Sequence, residues 1–133
     1  MRTAARETVF KILFSEQFGQ NADEHFRASM YRSGGLTEDD IAYCDKILGL
    51  SAEHSAEIAS VIDKHSYSFP EARIFPADRS ALTVALAEIL YCDDIPDKVS
   101  VNEAANIASK YSSEKSASFI SGILSSVIGE KDV

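Results

Sequence analysis

The sequence predicts an all-α fold of six or seven helices, and three observations carry that expectation. Apolar residues recur at three- and four-residue spacing through most of the 133-residue chain. No window alternates apolar and polar residues over strand length. Helix-stop signals at Gly19, Ser33-Gly34-Gly35 and Ile95-Pro96 fall between the periodic stretches. The length suits one domain over residues 1–133, since a chain of about 150 residues hides roughly 68–70% of its unfolded surface.

From Arg6 onward, Val9, Phe10, Leu13, Phe14 and Phe18 form the first stripe, which Gly19-Gln20-Asn21 stops. Phe26 and Met30 mark a second helix over Asp23 to Tyr31. Thr37 before Glu38-Asp39-Asp40 reads as a side-chain cap, with acidic residues at the positive end of a third helix. Ile41, Cys44, Ile47 and Leu48 supply its apolar face. Gly49 and Ser51 suggest an interruption before Ile58, Val61, Ile62 and His65 resume the pattern, as one bent helix or two. Ser66 to Ala77, with Tyr67, Phe69, Pro70, Ile74, Phe75 and Pro76, is an apolar connector expected to pack on the domain. After it, Leu82, Ala85, Leu86, Ile89 and Leu90 predict the most buried helix. That helix should end by Asp93 or Asp94, because Pro96 lacks an amide donor and pushes Ile95 from helical angles. Ser100-x-x-Glu103 has the spacing of a reciprocal capping box, opening a helix with Val101, Ala104, Ala105, Ala108 and Tyr111 on one face. Phe119, Ile120, Ile123, Leu124, Val127 and Ile128 build the last helix, where Gly122 is expected to admit a close neighbour.

Composition narrows function more by exclusion than by assertion. A net charge of −8 argues against a strong autonomous grip on nucleic acid, because phosphate contacts are made by Lys and Arg. Residues 1–18 form a weak basic end, with Arg2, Arg6 and Lys11 against Glu7 and Glu16, in an otherwise acidic chain. No nucleophile elbow, phosphate loop or dinucleotide fingerprint is present, so an enzyme is not expected. The serines from Ser112 to Ser126 fall at helix ends or on the expected solvent face. Asp39-Asp40 and Asp93-Asp94 read as surface charge. Cys44 and Cys92 lack metal or redox spacing and read as free thiols of a reducing cytoplasm. His54 and His65 share a helical face but stand about 16 Å apart along it, too far for one metal. Neither metal nor cofactor is expected, and no leader or membrane span is evident.

One set of segments is more specific. Ile95-Pro96-x-x-Val99-x-Val101-Asn102-Glu103-Ala104, then Lys110-Tyr111, then Ser116-x-x-Phe119-Ile120-x-Gly122-Ile123-Leu124 resembles the signature of the NusB family of transcription antitermination factors. Ala5-Arg6-Glu7, Ile12-Leu13-Phe14 and Gln17 resemble that family's first helix, and Asp78-Arg79-x-x-Leu82 with Ala85-x-x-Glu88-Ile89-Leu90 its central one. The resemblance implies two packed three-helix subdomains and a non-enzymatic role. It further implies binding of boxA RNA with NusE, a ribosomal small-subunit protein, acting indirectly on RNA polymerase. Carried over by position, Arg2, Arg6 and Lys110 would contact RNA, with Phe14 and Phe119 as stacking platforms or, alternatively, core residues. Asp78 and Glu88 would face NusE or, alternatively, be a helix-end charge and an exposed glutamate. Thr3, Ala4, Thr83, Ala87 and Ser121 depart from residues frequent in the family. The competing reading is an acidic helical module that binds proteins only, as a monomer or homodimer. A third, the appendage of an RNA cytosine methyltransferase, is disfavoured because no methyl-donor domain follows.

Overall fold

Among the residues described by the computed structural model, 2–66 and 74–131, seven helices form and no strand does. They are α1 (Thr3–Glu16), α2 (Glu24–Ser33), α3 (Glu38–Glu53), α4 (Ser55–His65), α5 (Pro76–Tyr91), α6 (Asp97–Tyr111) and α7 (Glu114–Lys131). Helix α5 buries residues on every side, which suits a helix enclosed by others. Ala81, Leu82, Val84, Ala85, Leu86, Ala87 and Ile89 are all buried, and α1, α3, α4, α6 and α7 pack around them. Helices α1, α2 and α3 form one packed group, and α5, α6 and α7 the other. Helix α4 joins them through contacts with α3, α5 and α7. This is the expected two-subdomain, all-α architecture.

Local chemistry sets most helix ends. Asp23 caps α2 by accepting from the Phe26 amide at 2.9 Å. Thr37 and Asp40 make the reciprocal box at α3, each side chain accepting from the other's amide at 3.2 Å. Gly19 (φ 91°) and Gly35 (φ 63°) follow α1 and α2 in left-handed geometry that a side chain would strain. Pro76 starts α5, where its missing amide costs no hydrogen bond.

Several expectations change. α3 runs through Gly49 and Ser51, with the Ser51 hydroxyl donating to the Ile47 carbonyl at 2.8 Å. The chain breaks instead at His54, whose ring stacks 3.9 Å from that of Tyr91 at the end of α5, so α3 and α4 are separate helices. α6 begins at Asp97 with Pro96 as its cap residue. Ser100 and Glu103 therefore lie inside the helix, and their side chains bond elsewhere instead of forming a capping box. Gly122 is exposed, and a Cβ there would meet nothing within 4 Å, so it admits no close neighbour. Ile74 of the connector is buried while Phe75 is exposed; Tyr67, Phe69 and Pro70 lie outside the described residues.

α7 is fastened at its far end by side chains rather than by packing alone. Lys131 donates to the Ile89 carbonyl at 2.8 Å and pairs with Asp97 at 3.1 Å. His65 Nδ1 lies 2.8 Å from the Ser126 hydroxyl. No helix among the described residues is long and apolar enough to cross a membrane.

Because Leu82 is fully buried on the central helix, Leu82→Ala should cost about 2–5 kcal/mol of folding stability. Denaturant unfolding checks this, with the midpoint falling and the slope unchanged.

Candidate nucleic-acid interface

The first helix presents two different chemistries. Its inward side, Ala5, Val9 and Ile12, enters the core, and Arg6 follows it inward with only 5% of its surface exposed. There the guanidinium meets Glu88, a residue of α5 with no exposed surface. Arg6 Nε donates to Glu88 Oε2 at 2.7 Å, Nη2 to Oε1 at 3.2 Å, and Nη1 to Glu103 Oε1 at 2.9 Å. Three hydroxyls complete the network. Ser100 donates to Glu88 Oε1 at 2.7 Å, Thr3 to Glu103 Oε1 at 2.8 Å, and Tyr43 to Glu88 Oε2. Burial alone would lower the Arg6 pKa, but the Glu88 hydrogen bond and the charges of Glu88, Tyr43 and Glu103 more than offset it, leaving it raised. Burial and Glu88 push the Tyr43 phenol far up, so it remains a donor.

Arg6 and Glu88 are therefore interior partners, paired with each other at the two positions where the resemblance implies contacts with RNA and NusE. Their charges compensate each other, and neither side chain has surface to offer a ligand. Asp78 is interior as well, in the first turn of α5, where Ser116 of α7 donates to its Oδ2 at 3.0 Å. Ser116 is thus a buried exception to the expected solvent-facing serines. Burial raises the Asp78 pKa against the lowering effect of hydrogen bonds from Ser116 and Ser112, and Asp78 Oδ1 has no hydrogen-bond partner.

The outward side of α1 differs. Phe10, Phe14 and Phe18 recur at four-residue spacing, with centroids 6.2 Å apart for the first pair and 5.0 Å for the second. Tyr111, ending α6, joins the row with its centroid 5.2 Å from Phe10. The row runs from buried Phe10 through half-buried Phe14 to Phe18, which is 67% exposed. Lys11 and Lys110 place their ammonium groups 5.7 and 5.2 Å from the Tyr111 ring centroid. Glu7 ties the two helices, accepting from Lys110 at 2.9 Å and from Tyr111 at 2.6 Å. Burial would raise the Glu7 pKa, but the Tyr111 and Lys110 hydrogen bonds outweigh it and hold it below the usual value.

Of the sequence-predicted residues, Phe14 and Lys110 thus share one face. Arg2 is exposed at the start of α1, its guanidinium 5.0 Å from the Tyr43 ring centroid. Phe119 lies on α7, outside the α1 ring row and half-buried against the core. Sequence reasoning missed Tyr43, Glu7 and Tyr111 as site-forming residues. Glu7 and Tyr111 lie 104 positions apart, so local periodicity carries no signal for their contact. A groove of about 820 Å³ between α1, α2, α3 and α5, lined by Ile12, Gln17, Arg27, Tyr31 and Arg79, contains none of the predicted residues. Among the described residues, no group of three or more His, Cys, Asp or Glu is placed to hold a metal.

The fold and this surface define an all-helical protein of two three-helix groups, with an arginine locked beneath an outer face of rings and cations. Its sequence places it further: the NusB family profile matches residues 3–129, and the chain belongs to the NusB family. The transcription antitermination protein NusB of Agathobacter rectalis is 34% identical over 92% of this chain and 95% of its own length. NusB of T. maritima is similar in structure, with TM-score 0.89 and 27% identity, over 98% of this chain and 92% of its own. The fold is also that of a crystallised complex of the antitermination factors NusB and NusE with double-stranded RNA. That match has TM-score 0.87 and 24% identity, covering 97% of this chain and 96% of that one.

Two outcomes test the interior assignments. Arg6→Met strands the buried Glu88 charge and should cost about 3–5 kcal/mol, much of it recovered when Glu88→Gln is added; denaturant unfolding of both variants measures this. For Asp78, a pKa raised on folding means the native state holds its proton more tightly. Its destabilising contribution is absent at pH below the unfolded carboxyl value, grows as pH rises from there to the raised folded value, and is complete above it. Asp78→Asn should therefore raise the melting temperature at pH 7 and lose that advantage in acid, read from melts across the pH range.

Proposed function

We propose that this protein is a transcription antitermination factor that binds boxA RNA together with NusE and so modifies RNA polymerase indirectly during transcription of ribosomal RNA operons. The observation that carries the reading is the α1–α6 face, in a chain of the NusB family: exposed rings lie beside two lysines on a frame with a fixed arginine. Single-stranded RNA offers the base faces that such rings stack on and the phosphates that such cations meet. Arg2, Lys110, Phe14 and Phe119 are the proposed RNA contacts. Arg6 and Glu88 serve as positioning residues beneath them, and Asp78 fastens α5 to α7 near the NusE-facing surface. The role is non-enzymatic and places the protein in the cytoplasm.

The net charge of −8 and the engagement of Lys110 by Glu7 favour weak RNA binding by the protein alone, with NusE supplying much of the affinity. The same charge supports the second reading, an acidic module that binds proteins only. Titration of labelled boxA RNA with and without NusE separates them. In the antitermination reading the ternary complex forms, and Phe14→Ala weakens it by about 1–3 kcal/mol, the worth of one stacked base. Arg2→Ala weakens it and flattens its salt dependence, while both variants keep the protein pair intact. An RNA signal unchanged by the protein, with NusE still bound, supports the acidic module instead.

A further inference from the structure

The proposed RNA face contains one residue of the wrong charge in a central place. Glu7 Oε1 alone receives both the Lys110 ammonium, at 2.9 Å, and the Tyr111 hydroxyl, at 2.6 Å. The two donors are held differently. Tyr111 is packed against Phe10, whereas the Lys110 side chain is 59% exposed on a flexible four-carbon stem. If Lys110 swings away, the carboxylate keeps its Tyr111 bond and its place on α1. It is not orphaned by the exchange.

We propose that Glu7 is a charge gate on this face: it holds Lys110 in the free protein and yields it to an RNA phosphate when a base occupies the neighbouring rings. The inference rests on the RNA-binding reading above and adds how that site selects. Exposed ion pairs are weak and screened, so an approaching phosphate can replace the carboxylate as the partner of Lys110. The exchange leaves a negative carboxylate close to a negative phosphate, a cost that only a ligand gaining stacking energy nearby can offset. Anions without a base, and acidic protein surfaces, gain nothing from Phe14, Phe18 and Tyr111 and so fail to open the pair. Because its partners hold the Glu7 carboxyl below its ordinary pKa, the gate remains charged at neutral pH and answers to ligand rather than to protons. Glu7 thus lowers affinity for RNA in general while sharpening preference for strands that stack.

The test uses the full chain with NusE and labelled single-stranded boxA RNA, titrated over a range of salt. Glu7→Gln keeps an oxygen for Tyr111 and removes the charge. It should bind RNA about threefold to fivefold more tightly, the scale of a released surface ion pair. The slope of log K against log salt should steepen by about 0.7, because no freed carboxylate then remains to offset the one phosphate charge that Lys110 neutralises on a single strand. Both gains should vanish when Lys110→Met is added. Glu16→Gln, which removes a charge from the same helix without touching Lys110, should leave the slope unchanged. Glu7→Ala provides a second uncharged variant, and thermal melts confirm that each is folded. RNA binding that is present but unaltered by Glu7→Gln overturns the gate and leaves the RNA reading standing. So does a gain that persists in the Lys110→Met background, which marks general repulsion. No RNA binding by the unaltered protein with NusE overturns the RNA reading and the gate together.

Discussion

A carboxylate with no exposed surface in the middle of the most buried helix is the constraint on which the rest of this structure depends. Glu88 sits on α5 between buried Ala87 and Ile89, and an unpaired charge there would be far too costly to fold. Its two oxygens are satisfied by Arg6 from α1, Tyr43 from α3 and Ser100 from α6. Each donor comes from a different helix, so their rotations and heights relative to α5 are fixed together. Apolar packing alone tolerates small slides, since many side-chain arrangements bury similar areas. A fork of guanidinium bonds does not. The second carboxylate, Glu103, balances the remaining face of Arg6 and brings in Thr3, extending the lock to the first turn of α1.

The outer face inherits its geometry from that lock. Glu7 is the next residue after Arg6, so fixing the Arg6 guanidinium on α5 and α6 also fixes where Glu7 emerges, beside the last turn of α6. Phe10 follows one turn further and meets Tyr111; Phe14 and Phe18 continue the row outward. A buried arginine therefore sets the geometry of the outer face through the residue beside it. The same logic applies at the other end of α5, where Asp78 and Ser116 tie the start of α5 to α7, the helix that carries Phe119.

The helices were largely legible in the sequence because their signals are local. Thr37-x-x-Asp40, Pro76, Gly19 and the three-and-four periodicity act within a turn or two, and the structure follows them. Ser100-x-x-Glu103 shows where locality misleads. The spacing suits a capping box, but Glu88 and Arg6 make stronger, charge-assisted demands on the same two side chains, and Pro96 starts the helix a turn earlier. The break at His54 was displaced from Gly49 for a similar reason, since the ring of His54 is anchored on Tyr91 while Gly49 needs no unusual backbone geometry. The candidate surface was legible only through family resemblance. Resemblance marks which positions matter, not whether they point in or out, and so Arg6, Asp78 and Glu88 were placed on the surface when burial and pairing place them beneath it.

The departures from the family pattern can be weighed in the same terms. Thr3 stands where an arginine is frequent, yet its hydroxyl serves Glu103, so the position is integrated into the buried network rather than left vacant. Ala87, in place of a frequent tyrosine, is fully enclosed beside Glu88. Thr83 returns its hydroxyl to the Arg79 carbonyl and offers no charge. Only Ala4 is an exposed position on α1 where a family cation is simply missing. The overall acidity is also unevenly placed: Glu38, Asp39 and Asp40 cluster at the positive end of α3, and Glu88 and Glu103 neutralise a buried arginine. Much of the net negative charge therefore does not bear on the α1–α6 face. There Lys11 and Lys110 flank the Tyr111 ring and Glu7 holds one of them, so the number of cations this face offers depends on that single pair.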